Sequence, residues 1–252
     1  GRNVFISSSF YDYDIEDQNI RALMENRVSG IILSGVGDQT YLRLRDYFGK
    51  VPIVFLGDNL PEGMVSQITV NNYEGTYMAA RYLIPLGHRD LMFLGGRKSS
   101  VTHCRRQQGF LDAVSGAEGV HGEIFTMLSG SRIEDGYQTG LAYFTRCLEE
   151  KRPFATGILC ISDHFALGVM QAAVEAGVEI PEQVSLIGFD DVSFASLPRI
   201  QLTTVSQPKE EICTAAVQTL EELIRADRPA AVSYKAIQPV LICRETCGPP
   251  SR

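Results

Sequence analysis

Two adjacent carboxylates, Asp190 and Asp191, stand where the β-prone run SLIGF (185–189) should end. A loop follows, then a second β-prone run, LTTV (202–205), closed by Gln207 and Pro208. Aspartates just beyond a parallel strand are well placed to meet a ligand, because open α/β sheets bind in the crevice outside the carboxyl ends of their strands. An ionised aspartate only accepts hydrogen bonds, which suits sugar hydroxyls or a ring N–H. The competing reading is that the pair simply caps the next turn or helix. Other strand ends carry similar groups: Ser34 after SGIIL, Asp58 after VPIVFLG (51–57), and Ser162 with Asp163 at the end of GILCIS (157–162). Catalytic sets are missing from the pattern. Ser7 to Ser9 lie in a β-prone run without a glycine-framed nucleophile elbow, and Gly95-Gly96 is not a nucleotide loop. Cys243 and Cys247 with four dispersed histidines do not make a zinc set. The expectation is therefore a binding protein with no metal and no cofactor, not an enzyme.

The elements that must position these groups alternate along the chain. Strands are expected at NVFISSS (3–9), SGIILS (29–34), VPIVFLG, 66–70, LMFLGG (91–96), EIFTMLS (123–129), GILCIS, SLIGF and within KAIQPVLICRET (235–246). Helices are expected at 14–26, 73–85, from 105 towards 114, within 131–150, and at 165–176 and 210–224, the last with Ile212, Ala216, Leu220 and Leu223 near helical spacing. Apolar strand, polar turn and helix in repetition imply right-handed parallel crossovers. A chain of 252 residues holds one large α/β unit or two lobes. The glycine pair followed by the polar passage RKSSVTHCRRQQGF (97–110) reads as a lobe change. Two doubly wound parallel-sheet lobes with a ligand cleft between them follow.

Composition narrows the function classes. A formal charge of −7 without a basic block leaves this chain no electrostatic footprint for nucleic acid. No apolar run reaches the roughly 18 residues of a membrane span, and the start lacks the basic-then-apolar order of a signal peptide. Six irregularly spaced cysteines read as reduced thiols of a cytoplasmic protein.

Several segments together resemble the core domain of the lactose/galactose-repressor family of bacterial transcription regulators. They are ISDHFALG (161–168), VEAGVEIPEQVSLIGFDD (174–191), LTTVSQP (202–208), VSGIILS, VPIVFL, VNNYEGTYMAARYLIPLGHRDLMFLGG (70–96), RRQQGF (105–110) and VLICRET (240–246). The resemblance implies a two-lobed fold of the type I periplasmic-binding-protein kind, a small-molecule effector held between the lobes, and dimers or tetramers. The first lobe would be residues 1–96 plus 203–228 and the second 97–202 plus 229–247, with 248–252 a tail and hinges near Gly95, Leu202 and Arg228. It also implies that the chain begins at the family's second strand, so that the first strand and helix and the DNA-binding domain are absent from it. DNA would be reached only through that separate N-terminal domain. A solute-binding receptor of a sugar transporter shares the fold and is the alternative.

The resemblance also carries residues. Arg106, opening Arg-x-x-Gly-Phe, matches the effector-contacting arginine, and Asp190 matches the ligand-binding aspartate. Ser162 stands where the family often has asparagine. Asp163 reads as a helix cap first and a pocket residue second, and Phe189 as pocket or core. Ser34 and Asp58 are rim candidates, and Ser131 falls where relatives place a pocket side chain. Asn71 replaces a usual aspartate and is not assigned to ligand. The effector implied is a sugar or sugar derivative.

Overall fold

A computed structural model describes residues 2–10, 12–35, 40–47, 49–61, 63–97, 99–128, 130–226 and 231–251. In chain order its elements are α1 (Tyr13–Glu25), β1 (Ile31–Leu33), α2 (Thr40–Leu44), β2 (Ile53–Leu56), β3 (Ser66–Val70), α3 (Asn72–Leu83), β4 (Asp90–Leu94) and α4 (Val101–Ser115). Then follow β5 (His121–Phe125), α5 (Ile133–Glu149), β6 (Gly157–Cys160), α6 (Asp163–Ala176), β7 (Ser185–Asp190), β8 (Thr203–Ser206), α7 (Lys209–Arg225), β9 (Tyr234–Ile237) and β10 (Val240–Ile242). Two α/β units result, each with its own sheet: Gly1–Val70 with Lys209–Ile237, and Asn71–Pro208 with Gln238–Arg252.

The first unit carries a parallel sheet in the order β1-β2-β3-β9. Successive side chains of a strand face opposite ways, and β2 shows the consequence. Ile53 and Phe55 pack with Ile20, Leu44 and Leu60, whereas Val54 packs with Ile68, Ala215, Ala216 and Ile237 under α7. The amphipathic pattern of α7 is thus used as expected, with Ile212, Leu220 and Leu223 against that second cluster. One expected strand does not form. Residues 2–9 have no regular structure, and Val4, Phe5 and Ile6 are exposed. β1 is the edge of its sheet and NVFISSS does not pair with it, so among the described residues the segment has no ladder, and a lone strand cannot satisfy its own backbone.

The second unit has six strands in the order β10-β8-β7-β6-β4-β5, all parallel except β10, which runs against β8. β6 is buried throughout, as are Leu91–Leu94 of β4 and Ser185–Phe189 of β7, which explains their uninterrupted apolar character. Ser100 caps α4, accepting from His103 N–H, and Gly177 ends α6 in the left-handed conformation at φ 69°. His88 is 1% exposed between Thr156 Oγ1 and the carbonyl of Gly248, each at 2.9 Å. Because a carbonyl only accepts, Nε2 carries the proton and Nδ1 accepts from Thr156.

The units divide the chain elsewhere than at the sequence-based boundaries. Crossings fall at 70/71, 208/209 and 237/238, not near 96, 202 and 228. β4 bonds to β5 on one side and β6 on the other, and β8 bonds to β7 and β10, so all of them belong to the second sheet. Gly95 and Gly96, at φ 92° and 105°, end β4 and turn the chain within one unit. Leu202 likewise lies inside the second unit, and Arg228 lies outside the described residues. Hydrogen-bonded partners decide membership of a sheet, and turn signals do not reveal them. At the first and third crossings, Asn71 caps α3 and its amide donates to Gln238 Oε1 at 3.4 Å, tying together two segments as they enter the second unit.

Candidate ligand-binding site

β7 ends at Asp190, level with Ser206 of the adjacent β8 and one strand from the end of β6. Onto these strand ends α4 projects Arg106, only 6% exposed. The helix lies close against α3, since a Cβ at Gly109 would collide with the main-chain oxygen of Tyr73. A buried guanidinium must be matched by acceptors. Arg106 Nε donates to Asn72 Oδ1 at 2.8 Å, Nη1 to the carbonyl of Ile161 at 2.5 Å, and Nη2 to Asp190 Oδ1 at 3.3 Å. Its central carbon also lies 3.5 Å from the centroid of the buried Phe189 ring, a cation–π contact of about 0.5–2 kcal/mol. Arg106 is therefore oriented by α3, β6 and β7 together.

Asp190 is held from two directions. Besides Arg106, Gln207 Nε2 donates to the same oxygen, Oδ1, at 2.6 Å. The other oxygen, Oδ2, has no hydrogen-bond partner among the described residues, and the side chain is 25% exposed. The backbone here is strained, with φ 112° at Asp190 and 48° at Asp191. Such conformations cost roughly 1–3 kcal/mol each and persist only where surroundings impose them. Arg244 supplies part of that constraint, donating to Asp191 Oδ1 and to the Leu202 carbonyl, both at 2.7 Å.

Below this turn lies Asp163, fully buried as the first residue of α6. Its Oδ1 accepts from Thr204 Oγ1 of β8 at 2.5 Å and its Oδ2 from Val192 N–H at 2.9 Å. A Cβ at Gly188 would collide with Oδ1, so β7 needs glycine there to admit the carboxylate. Burial pushes the Asp163 carboxyl up to about 7. Its two hydrogen bonds oppose that rise, and the charges of Asp190 and Asp191 add to it. The expected cap of α6 is displaced by one residue: Ser162 Oγ accepts from Phe165 N–H and donates to the Ser131 carbonyl. A serine hydroxyl reaches the helix N–H from the position before the first turn, whereas Asp163 turns inward.

The arrangement offers one partly exposed, oriented carboxylate oxygen beside a rigidly held guanidinium. Among the described residues it shows no exposed nucleophile hydrogen-bonded to a base. Among the described residues no group of three His, Cys, Asp or Glu could hold a metal ion. A family model described as a periplasmic binding protein-like domain matches residues 80–247. The chain belongs to this family. Within that family it is similar to core domains of the lactose/galactose-repressor kind. It is 32% identical to the HTH-type transcriptional repressor PurR of Yersinia pestis bv. Antiqua (strain Antiqua) over 231 residues, 90% of this chain and 66% of that protein. The chain thus spans a little under two thirds of that relative's length. A regulatory protein of LacI family from Chloroflexus aggregans is similar at 28% identity and a TM-score of 0.77, over 96% of this chain and 84% of that one. A LacI family transcriptional regulator from Enterococcus faecium, with bound ribose, shares the fold at 22% identity and a TM-score of 0.77, over 92% of this chain and 84% of that one.

In this periplasmic-binding-protein-like core, the structure brings Arg106, Asp190 and Phe189 into contact and sets Ser162 and Asp163 directly behind them. Ser131 enters through its carbonyl, while the residue itself is exposed. Ser34, exposed after β1, and Asp58, buried after β2, belong to the other unit. Asn72 and Gln207 were not singled out as site residues. Asn72 reads as a second helix-start asparagine, but Gln207 stood one residue past a strand adjacent to β7, and strand-end position alone was a usable signal for it.

Proposed function

We propose that this chain is the effector-sensing core of a transcription regulator, binding a small hydroxylated molecule at Asp190 and Arg106 and thereby altering the operator affinity of a separate N-terminal DNA-binding domain. The observation that carries the reading is Asp190: two donors hold one oxygen, and the other, on a partly exposed side chain, has no hydrogen-bond partner among the described residues. Membership of a family whose matched relatives are named as regulators, one with bound ribose, supports a sugar or sugar derivative as effector. A ligand acts on such a regulator only by preferring one of its conformations. A homodimer or tetramer in the cytoplasm is part of the same proposal. No helix among the described residues is long and apolar enough to cross a membrane. Ser34, Asp58, Ser131 and Ser162 are proposed as further contacts or supports for the ligand.

Calorimetric titration with D-ribose and a panel of pentoses and hexoses tests the reading, with Asp190→Asn as the control. An asparagine oxygen turned towards Arg106 and Gln207 puts its NH2 where the ligand needs an acceptor. Losing one hydrogen bond to a charged group, about 1.5–3 kcal/mol, predicts roughly 10- to 150-fold weaker binding. A panel member that binds the variant as tightly as the native chain would refute the role of Asp190.

A further inference from the structure

Asp163 is a buried carboxylate that carries no ligand-facing atom and forms no ion pair among the described residues. Its neighbours are paired: Asp190 with Arg106, and Asp191 with Arg244. What Asp163 holds is the backbone of Val192, two residues beyond Asp190, and the hydroxyl of Thr204 on the flanking strand. We propose that Asp163 is a proton-dependent positioning residue for Asp190, its ionised form fixing the Asp190–Asp191 turn for a ligand and its protonated form loosening it. The proposal rests on the reading of Asp190 as the ligand's acceptor.

The chemistry of the two states differs at both oxygens. Ionised, Asp163 accepts two charge-assisted hydrogen bonds, one from β8 and one from the loop after β7. Protonated, it becomes a donor at one oxygen. Thr204 Oγ1, at 2.5 Å, is placed to accept that proton, which forces the threonine hydroxyl to turn elsewhere, and the neutral acid holds Val192 N–H less strongly. The strained φ values at Asp190 and Asp191 then lose part of what imposes them. An ionised Asp163 also makes Asp190 a stronger acceptor for a neutral hydroxyl. Both effects favour ligand on the alkaline side.

Burial places this switch at about 7. The groups facing Asp163 or its immediate neighbours are Asp190 and Asp191 after β7, Cys160 at the end of β6, Arg106 of α4, Arg244 after β10, and His164, which follows Asp163 and packs edge-on against Phe194 at 5.1 Å. Asp191 and Arg244 neutralise one another, as do Asp190 and Arg106, so Asp163 is the unbalanced charge of the set. His164, next to Asp163 in the chain, is replaced as the control.

The test is the dissociation constant for D-ribose from pH 6 to pH 8 in the native chain, Asp163→Asn and His164→Gln. If only the ionised form binds, its fraction rises from roughly 0.09 to 0.91 across that range, so affinity increases about tenfold. Asp163→Asn copies the protonated acid, donating to Thr204 and accepting from Val192. It is expected to bind more weakly than the native chain does even at pH 6, without the pH-dependent rise, while His164→Gln keeps the native slope. A flat native profile, or a slope retained in Asp163→Asn, overturns the proposal. Without ribose present, the Val192 amide resonance is expected to titrate near pH 7 in the native chain and His164→Gln but not in Asp163→Asn. If D-ribose fails to bind at any pH, the choice of sugar fails, and this resonance still decides the role of Asp163. A Val192 amide that does not move, or that moves equally in Asp163→Asn, overturns it.

Discussion

Replacing Arg106 by lysine keeps the charge and removes the fork. In the native chain one guanidinium serves Asn72 Oδ1, the Ile161 carbonyl and Asp190 Oδ1 at 2.8, 2.5 and 3.3 Å while covering Phe189. A single ammonium on a flexible stem cannot meet three acceptors spread around a planar group, and it loses most of the stacking. At least one acceptor is left buried without that donor, and hydrogen bonds to charged groups contribute about 1.5–3 kcal/mol each. Allowing for recovery of one contact, Arg106→Lys is expected to lose about 2–4 kcal/mol of stability. Urea unfolding followed by far-UV circular dichroism suits a chain with no tryptophan. The midpoint should fall with the slope unchanged, because the surface exposed on unfolding is the same. A loss below about 1 kcal/mol would show that the three bonds do not act together on this cation. The same variant should bind ligand more weakly, since Asp190 would keep its charge partner but lose its fixed orientation.

Three further outcomes follow from named contacts. Asp163, raised from 3.8 to about 7 when folded, is protonated in the native state before the unfolded chain. It therefore contributes stability below pH 3.8 that is lost as pH rises to about 7, a few kcal/mol in all by linkage, and Asp163→Asn should flatten that part of the pH–stability curve. His88 has the opposite sign: burial, the dominant cause, lowers its folded value, so stability should fall as pH drops below 6.5, and a His88→Gln variant should lose that acid sensitivity in pH-jump unfolding. Gly188→Ala drives a methyl into Asp163 Oδ1 and should reduce stability by about 3 kcal/mol or more, read as a lower thermal midpoint, whereas the same change at Gly119, which meets no atom but has φ 69°, should cost only the backbone strain of about 1–2 kcal/mol.

Local order was largely readable from the residues. The buried strands at 91–94, 157–160 and 185–189 appear as unbroken apolar runs because both faces are covered, and α7 shows its period because only one face is. Asp190 was legible from its place at a strand end, and Arg106 from the segment that resembles a known family. Reading failed where the answer lay in a distant partner. NVFISSS has strand composition but no ladder among the described residues, and Gly95-Gly96 resembles a crossing because a turn inside a unit and a turn between units use the same residues.

By itself, then, the sequence determined most of the alternation of strand and helix, the cap of α6 within one residue, the family, and the two charged residues at the centre of the candidate site. Each of these is written in neighbours along the chain or in a recognisable ordered set of segments. Only the tertiary structure decided that Gln207 and Asn72 brace those two residues, that β4 and β8 belong to the second sheet, and that Asp163 is buried beneath the turn with no ion pair among the described residues. Those depend on which strands pair and which helices lie across their ends. Partners separated by tens of residues set hydrogen bonds and desolvation, and no local pattern encodes that choice.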